Sequence, residues 1–127
     1  MRLEKIIYVE DEADIREVAQ LALELVGGYR LLICGSGQEA VDQAVAFAPD
    51  LILLDVMMPG MDGPDTLARL RQFPSLADTP VIFMTAKVQP NEVQALRDLG
   101  VLAVIAKPFD PMTLAEQLRQ CYEARHV

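Results

Sequence analysis

The chain has 127 residues, a length that suggests one domain and allows roughly two-thirds of the unfolded surface to be buried without a disulfide or a metal. Hydrophobic residues make up 52%, which argues against disorder. Nineteen Asp and Glu against eleven Lys and Arg give a formal charge of −8, which disfavours nucleic-acid binding by this domain, because phosphates would meet no bulk of cations. Lys5–Val9 reads as a first strand, ending in the acidic cluster Glu10-Asp11-Glu12. Ile15, Val18, Ala19, Ala22 and Val26 mark one face of a helix that Gly27-Gly28 ends. Residues 29–34 form a second strand. Ser36 with Glu39 makes a capping-box pattern, and Val41, Ala44, Val45 and Ala48 mark the next helical face, closed by Pro49.

Leu51–Asp55 is an apolar run that ends at an aspartate, bounded by Pro49-Asp50 before it and by Pro59, Gly60 and Gly63 after it. Such a run reads as a strand buried on both faces, in the middle of a parallel sheet. A third helix is predicted over 64–73, with Pro64 suited to its first turn. A fourth strand follows at 80–85. Asn91 is expected to cap a short helix to about residue 99, with Val93 and Leu96 facing in and Gly100 after it. The fifth strand is predicted at 101–106. Asp110-Pro111 reads as a cap with proline at the first helical position, and Leu114, Leu118, Cys121 and Tyr122 form the buried stripe of the last helix.

Strand and helix thus alternate five times, which implies an α/β fold with a parallel sheet and helices on both faces. Right-handed crossovers favour the flavodoxin-like order 2-1-3-4-5. In that order the first and third strands meet at the switch point, and both end in carboxylates. No repeat and no long linker interrupts the pattern, so residues 1–127 read as one domain. Cys34 and Cys121 are far apart and form no CxxC; they read as buried or half-buried thiols in a reducing cytosol. No apolar run reaches the ~20 residues of a membrane span, and the N-terminus lacks the apolar core of a signal peptide. A soluble, cytoplasmic protein is expected, without membrane contact.

The polar residues at the strand ends form a set: Glu10 and Asp11, Asp55, Thr85 and Lys107. In a 2-1-3-4-5 sheet all five can converge on one crevice. Three crowded carboxylates repel one another, and a divalent cation removes that cost. An oxygen-only donor set favours Mg²⁺ over Zn²⁺. An aspartate can act as nucleophile toward a phosphoryl group, with the metal, an ammonium and a hydroxyl each taking one phosphoryl oxygen. Singly, each residue has a plain reading: helix-dipole charges, a turn aspartate, a strand-end threonine, a loop lysine. Together, at separate strand ends of an apolar sheet, they point to phosphoryl chemistry.

Val9-Glu10-Asp11-Glu12, the segment from Leu53 through Asp55, Met58-Pro59 and Gly63, Met84-Thr85-Ala86 and Ala106-Lys107-Pro108-Phe109 together resemble the receiver (phospho-acceptor) domain of two-component response regulators, over almost the whole chain. The resemblance implies that Asp55 is the phosphorylated residue. It implies Mg²⁺ on Asp11, Asp55 and the Met57 carbonyl, with Glu10 acting through water. Thr85 and Lys107 would hold the phosphoryl group, and the Lys107–Pro108 bond would be cis. The implied donor is a sensor histidine kinase or a histidine phosphotransfer protein. The implied output surface is the fourth helix, fifth strand and fifth helix, in a monomer or a phosphorylation-dependent dimer. Chemistry beyond phosphoryl acceptance and autodephosphorylation is not expected; nor is an output domain after the last helix, so the expectation is a stand-alone regulator or a domain excised from a larger kinase or regulator.

Two departures stand out. Glu10 stands where an Asp is frequent and is expected still to reach a metal-bound water. Val104 stands three residues before the lysine, where an aromatic switch residue is often found, so the readout is expected to run through the Thr85 loop and the fourth helix. Met57 and Lys87, two residues past Asp55 and Thr85, either tune the lifetime of the phosphoryl group or are plain loop residues. His126, the only histidine, reads as tail. Two other readings remain at this point. A haloacid-dehalogenase-like phosphohydrolase would use the same residue types, but it wants a second Asp where Met57 stands. A receiver-shaped module that is never phosphorylated would not need the intact five-residue set.

Overall fold

A computed structural model describes residues 2–125, so His126 lies outside the described residues. Five parallel strands, β1 (Lys5–Val9), β2 (Arg30–Cys34), β3 (Leu51–Asp55), β4 (Val81–Thr85) and β5 (Ala103–Ala106), form one sheet in the order β2-β1-β3-β4-β5. The helices are α1 (Ala13–Gln20), α2 (Gly37–Phe47), α3 (Gly63–Leu70), α4 (Pro90–Arg97) and α5 (Leu114–Ala124). The expected α/β architecture and strand order are therefore found. Side chains alternate between the two faces of the sheet along each strand. Ile6, Tyr8, Leu51, Leu53, Ile82, Met84 and Ile105 pack on one face against α1 and α5. Ile7, Val9, Ile52, Leu54, Val81 and Phe83 pack on the other against α2 and α3. Period-2 side-chain placement thus builds a core on each side of the sheet.

Several local expectations are corrected. The helix after β1 widens into a π-helical stretch, Leu21–Val26, whose ladder includes Gly27 N–H to the Ala22 carbonyl at 3.1 Å. The wider turn shifts the buried phase: Ala19, Ala22 and Leu23 are inside, while Val18 and Val26 face solvent. In α2 the Ser36 cap holds, its hydroxyl accepting the Glu39 N–H at 3.1 Å, but Glu39 returns its carboxylate to the N–H of Gly35 at 2.9 Å. Val45 faces solvent, one step round the helix from the buried Gly37, Ala40, Val41 and Ala44. Helix α4 starts at Pro90, with Gln89 at its cap and Asn91 already inside it. Proline prefers the first helical position, and it wins over the Asn cap. None of α4 is fully buried; Val93 and Leu96 are only half-buried. Helix α5 begins at Leu114, because Asp110 caps a preceding turn through Met112 N–H at 2.8 Å.

The β3–α3 connection positions the site. Asp62 caps α3 by accepting the Asp65 N–H at 2.8 Å, and Pro64 occupies the first turn as expected. Gly63 donates its N–H to the Val56 carbonyl at 2.9 Å. A Cβ on Gly63 would lie 2.7 Å from the Asp55 carbonyl oxygen, so only glycine lets α3 seat this closely against the end of β3.

Candidate functional site

The parallel sheet aims the C-terminal ends of β1, β3 and β5 at one cleft of about 230 Å³, lined by Asp11, Glu12, Asp55, Met57, Ala86 and Lys107. Ligand sites of open α/β sheets lie in this region. Asp55 and Glu10 are buried, and Asp11 is half-buried. Carboxylate oxygens of Glu10, Asp11 and Asp55 all lie within 4.8 Å of one another. Among the described residues one ammonium answers them directly: Lys107 Nζ sits 2.9 Å from Glu10 Oε1 and 3.1 Å from Asp55 Oδ1. The Lys107–Pro108 peptide is cis, as the resemblance implies.

Glu10 is more tightly held than the sequence indicates. Its Oε1 accepts from Lys107, and its Oε2 accepts the Glu12 N–H at 3.2 Å. Burial raises its carboxyl above the usual range, the Asp55 charge adds to that, and the Lys107 bond pulls it back. For Lys107 burial works downward, but its bonds to Glu10 and Asp55 outweigh it and hold the ammonium above the ordinary lysine value. Each group of the pair therefore favours the charged form of the other.

Thr85 is buried and stands beside the site, but its hydroxyl turns into its own loop, accepting the Lys87 N–H at 3.0 Å. It lines a neighbouring cleft of about 370 Å³ between α3 and α4, with Val56, Met57, Pro64, Lys87 and Leu96 among its walls. Strand parity explains this. Val81 and Phe83 belong to the core on the α2–α3 face, and Thr85 continues their register. Four of the five predicted residues thus converge on one cleft, and the fifth opens on the adjacent one. Met57 is exposed between both clefts, and Lys87 is exposed. Val104 is half-buried opposite Phe83 in the β4–β5 ladder.

The sequence reading passed over Arg16. Its Nη1 donates to the carbonyls of Glu10 at 2.9 Å and Asp11 at 2.8 Å. A cation in the first turn of a helix opposes the dipole, and that misplaced charge is the signal that could have found it. Cys34 and Cys121 are both free thiols. Burial, helped by Glu39, pushes the Cys34 thiol up to about 12, which makes it inert.

An oxygen-only carboxylate cluster carrying more negative charge than one lysine offsets fits a hard divalent cation of the Mg²⁺ class. Residues 6–119 match the family model described as the response regulator receiver domain. The phosphate regulon transcriptional regulatory protein PhoB of Pseudomonas aeruginosa is 41% identical over 115 residues, which cover 90% of this chain and 49% of that protein. The chain therefore spans about half the length of the curated relatives it matches. Among solved structures, the chemotaxis protein CheY4 of Vibrio cholerae superposes with a TM-score of 0.86 at 28% identity, covering 94% of this chain and 98% of that one. The signal receiver domain of a signal transduction histidine kinase from Syntrophus aciditrophicus gives 0.80 at 32% identity, covering 95% and 91%. Among the described residues no helix is long and apolar enough to cross a membrane.

Proposed function

We infer, from the premise that this chain belongs to the response regulator receiver domains of two-component systems, that Asp55 is its phosphoryl acceptor. Receiver domains are phosphorylated and autodephosphorylate. The observation that carries the assignment to Asp55 is its setting: a carboxylate at the buried end of the central strand, 3.1 Å from an ammonium and within a cluster of carboxylates. An Asp55 oxygen attacks phosphorus, the bond to the donor imidazole breaks, and the electron pair stays on that nitrogen. A sensor histidine kinase or a histidine phosphotransfer protein is the proposed donor.

Asp11, Asp55 and the Met57 carbonyl would hold Mg²⁺, with Glu10 acting through water. When bound, the cation would offset the carboxylate charge and the charge of the transferring group. Lys107 is already beside Asp55 and would shift from it to a phosphoryl oxygen. Thr85 has further to go: its hydroxyl, which accepts the Lys87 N–H, directs its own hydrogen to the Lys87 carbonyl at 3.5 Å and must turn it away to donate to the phosphoryl group. That exchange ties the Thr85 loop to the charge on Asp55. Helix α4, which borders the same cleft and buries no residue fully, is the element least anchored against such a change. Val104 supplies no aromatic rotor, so the readout is assigned to this loop and helix, on the α4–β5–α5 face. The two free thiols fit a reducing cytoplasm as the setting.

Incubation with Mg²⁺ and acetyl phosphate, followed by intact-mass measurement, tests the reading. The protein gains one phosphoryl group, and Asp55→Asn does not. No gain, even with a phospho-histidine donor, would leave a receiver-shaped interaction module instead.

A further inference from the structure

We propose that Arg16 is a positioning residue for the metal site: its guanidinium fixes the Glu10–Asp11 backbone and so holds two carboxylates where a divalent cation needs them. The inference rests on the reading of the acidic cleft as a Mg²⁺ site.

The turn between β1 and α1 carries Glu10 and Asp11; the Glu10 N–H still reaches the Cys34 carbonyl of β2 at 2.9 Å, and beyond it the turn leaves the sheet. Its carbonyls need partners, and a single residue supplies them. Arg16 Nη1 donates to the Glu10 carbonyl at 2.9 Å and to the Asp11 carbonyl at 2.8 Å. The backbone N–H of the same residue donates to the Glu12 carbonyl at 3.0 Å. Three consecutive carbonyls are therefore bound by Arg16. One amino nitrogen has two hydrogens, and both are used on adjacent peptide units. Neither peptide can rotate without losing a charge-assisted bond. The side chain is half-buried beside Gly35, where a Cβ would stand 3.5 Å from Nη1, so the guanidinium seats against the start of the β2–α2 turn.

Rotation of either peptide would swing the carboxylate it carries. Mg²⁺ demands near-ideal geometry at short range, so it is the ligand most sensitive to such a swing. Electrostatics predicts the opposite effect of losing Arg16. A cation this close to the cleft repels a second cation, and its removal alone would tighten Mg²⁺ binding. The sign of the change therefore separates positioning from charge.

The test is calorimetric titration of Mg²⁺ into the unphosphorylated wild type and Arg16→Met, with urea unfolding of both run alongside so that affinity is read on folded protein. The expected result is a dissociation constant raised about tenfold or more, the order seen when residues supporting metal ligands are lost. Should Arg16→Met fail to fold, Arg16→Gln carries the same test, because its shorter amide cannot bond both carbonyls. Unchanged or tighter Mg²⁺ binding in the folded variant overturns the proposal while leaving the receiver reading intact. A wild type that binds no Mg²⁺ overturns the metal reading itself.

Discussion

Lys107→Met keeps the aliphatic stem and removes the ammonium that bridges Glu10 at 2.9 Å and Asp55 at 3.1 Å. The lysine side chain is 13% exposed and its partners 1% and 5%, so the water screening that makes surface pairs weak is largely absent. Removing one partner of a buried pair costs about 3–5 kcal/mol, because the remaining charges stay behind uncompensated. For a domain of this size that corresponds to a fall in Tm of roughly 10–20 °C. Without Lys107 the Glu10 carboxyl, already raised by burial and by Asp55, rises further. The folded variant then holds a proton that the unfolded chain releases, so its deficit is largest at alkaline pH and shrinks toward acid. A divalent cation relieves the same repulsion, so Mg²⁺ should stabilise the variant more than the wild type. The assay is urea unfolding followed by far-UV circular dichroism, since the chain has no tryptophan, in EDTA and in excess MgCl₂. A variant within about 0.5 kcal/mol of wild type in EDTA, the spread of an ordinary surface substitution, would refute the reasoning. So would a deficit that Mg²⁺ leaves unchanged.

Two further outcomes follow from the geometry. Gly63→Ala places a Cβ 2.7 Å from the Asp55 carbonyl and 2.9 Å from Val56 Cα, both backbone atoms that cannot step aside. Overpacking of this kind costs about 1–3 kcal/mol, and phosphorylation by acetyl phosphate should slow as the Asp55 strand end moves; normal stability and rate would show the backbone yields more easily. Cys34 keeps its proton in the fold up to about pH 12, while an unfolded thiol ionises near 9.0. Its contribution to stability is therefore whole below pH 9.0 and is lost as pH rises toward about 12, at up to about 1.4 kcal/mol per pH unit. Cys34→Ala should show a shallower alkaline decline of unfolding free energy, and equal slopes would assign that decline to other groups.

Element type was legible almost throughout, because apolar strands alternate with helical periodicity and the punctuation by Pro and Gly is strong. The misreadings sit where local signals compete. Asn91 and Asp110 both look like helix caps, yet Pro90 takes the first helical position in one case and a separate turn intervenes in the other. The π-helical stretch left no mark in the pattern, since its register is set by packing of Leu23 into the α1–α5 core. Of the site, the residue types at the strand ends were readable, and so was the chemistry they suit.

The sequence by itself determined the residues available at each strand end and the order in which parallel packing could bring them together. That information is local: a carboxylate after a buried run, a lysine before a proline, a glycine after a turn. Only the tertiary structure decided how these groups divide. Sheet register sends Asp55, Glu10 and Lys107 to one cleft and Thr85 to the next, with its hydroxyl occupied by the Lys87 N–H. It also decided that Lys107, distant along the chain, is the cation shared by two carboxylates, and that Arg16 gathers three carbonyls beneath them. Spacing along a chain carries no record of which groups meet across a sheet; those distances are set by strand pairing and by the cores that fix it.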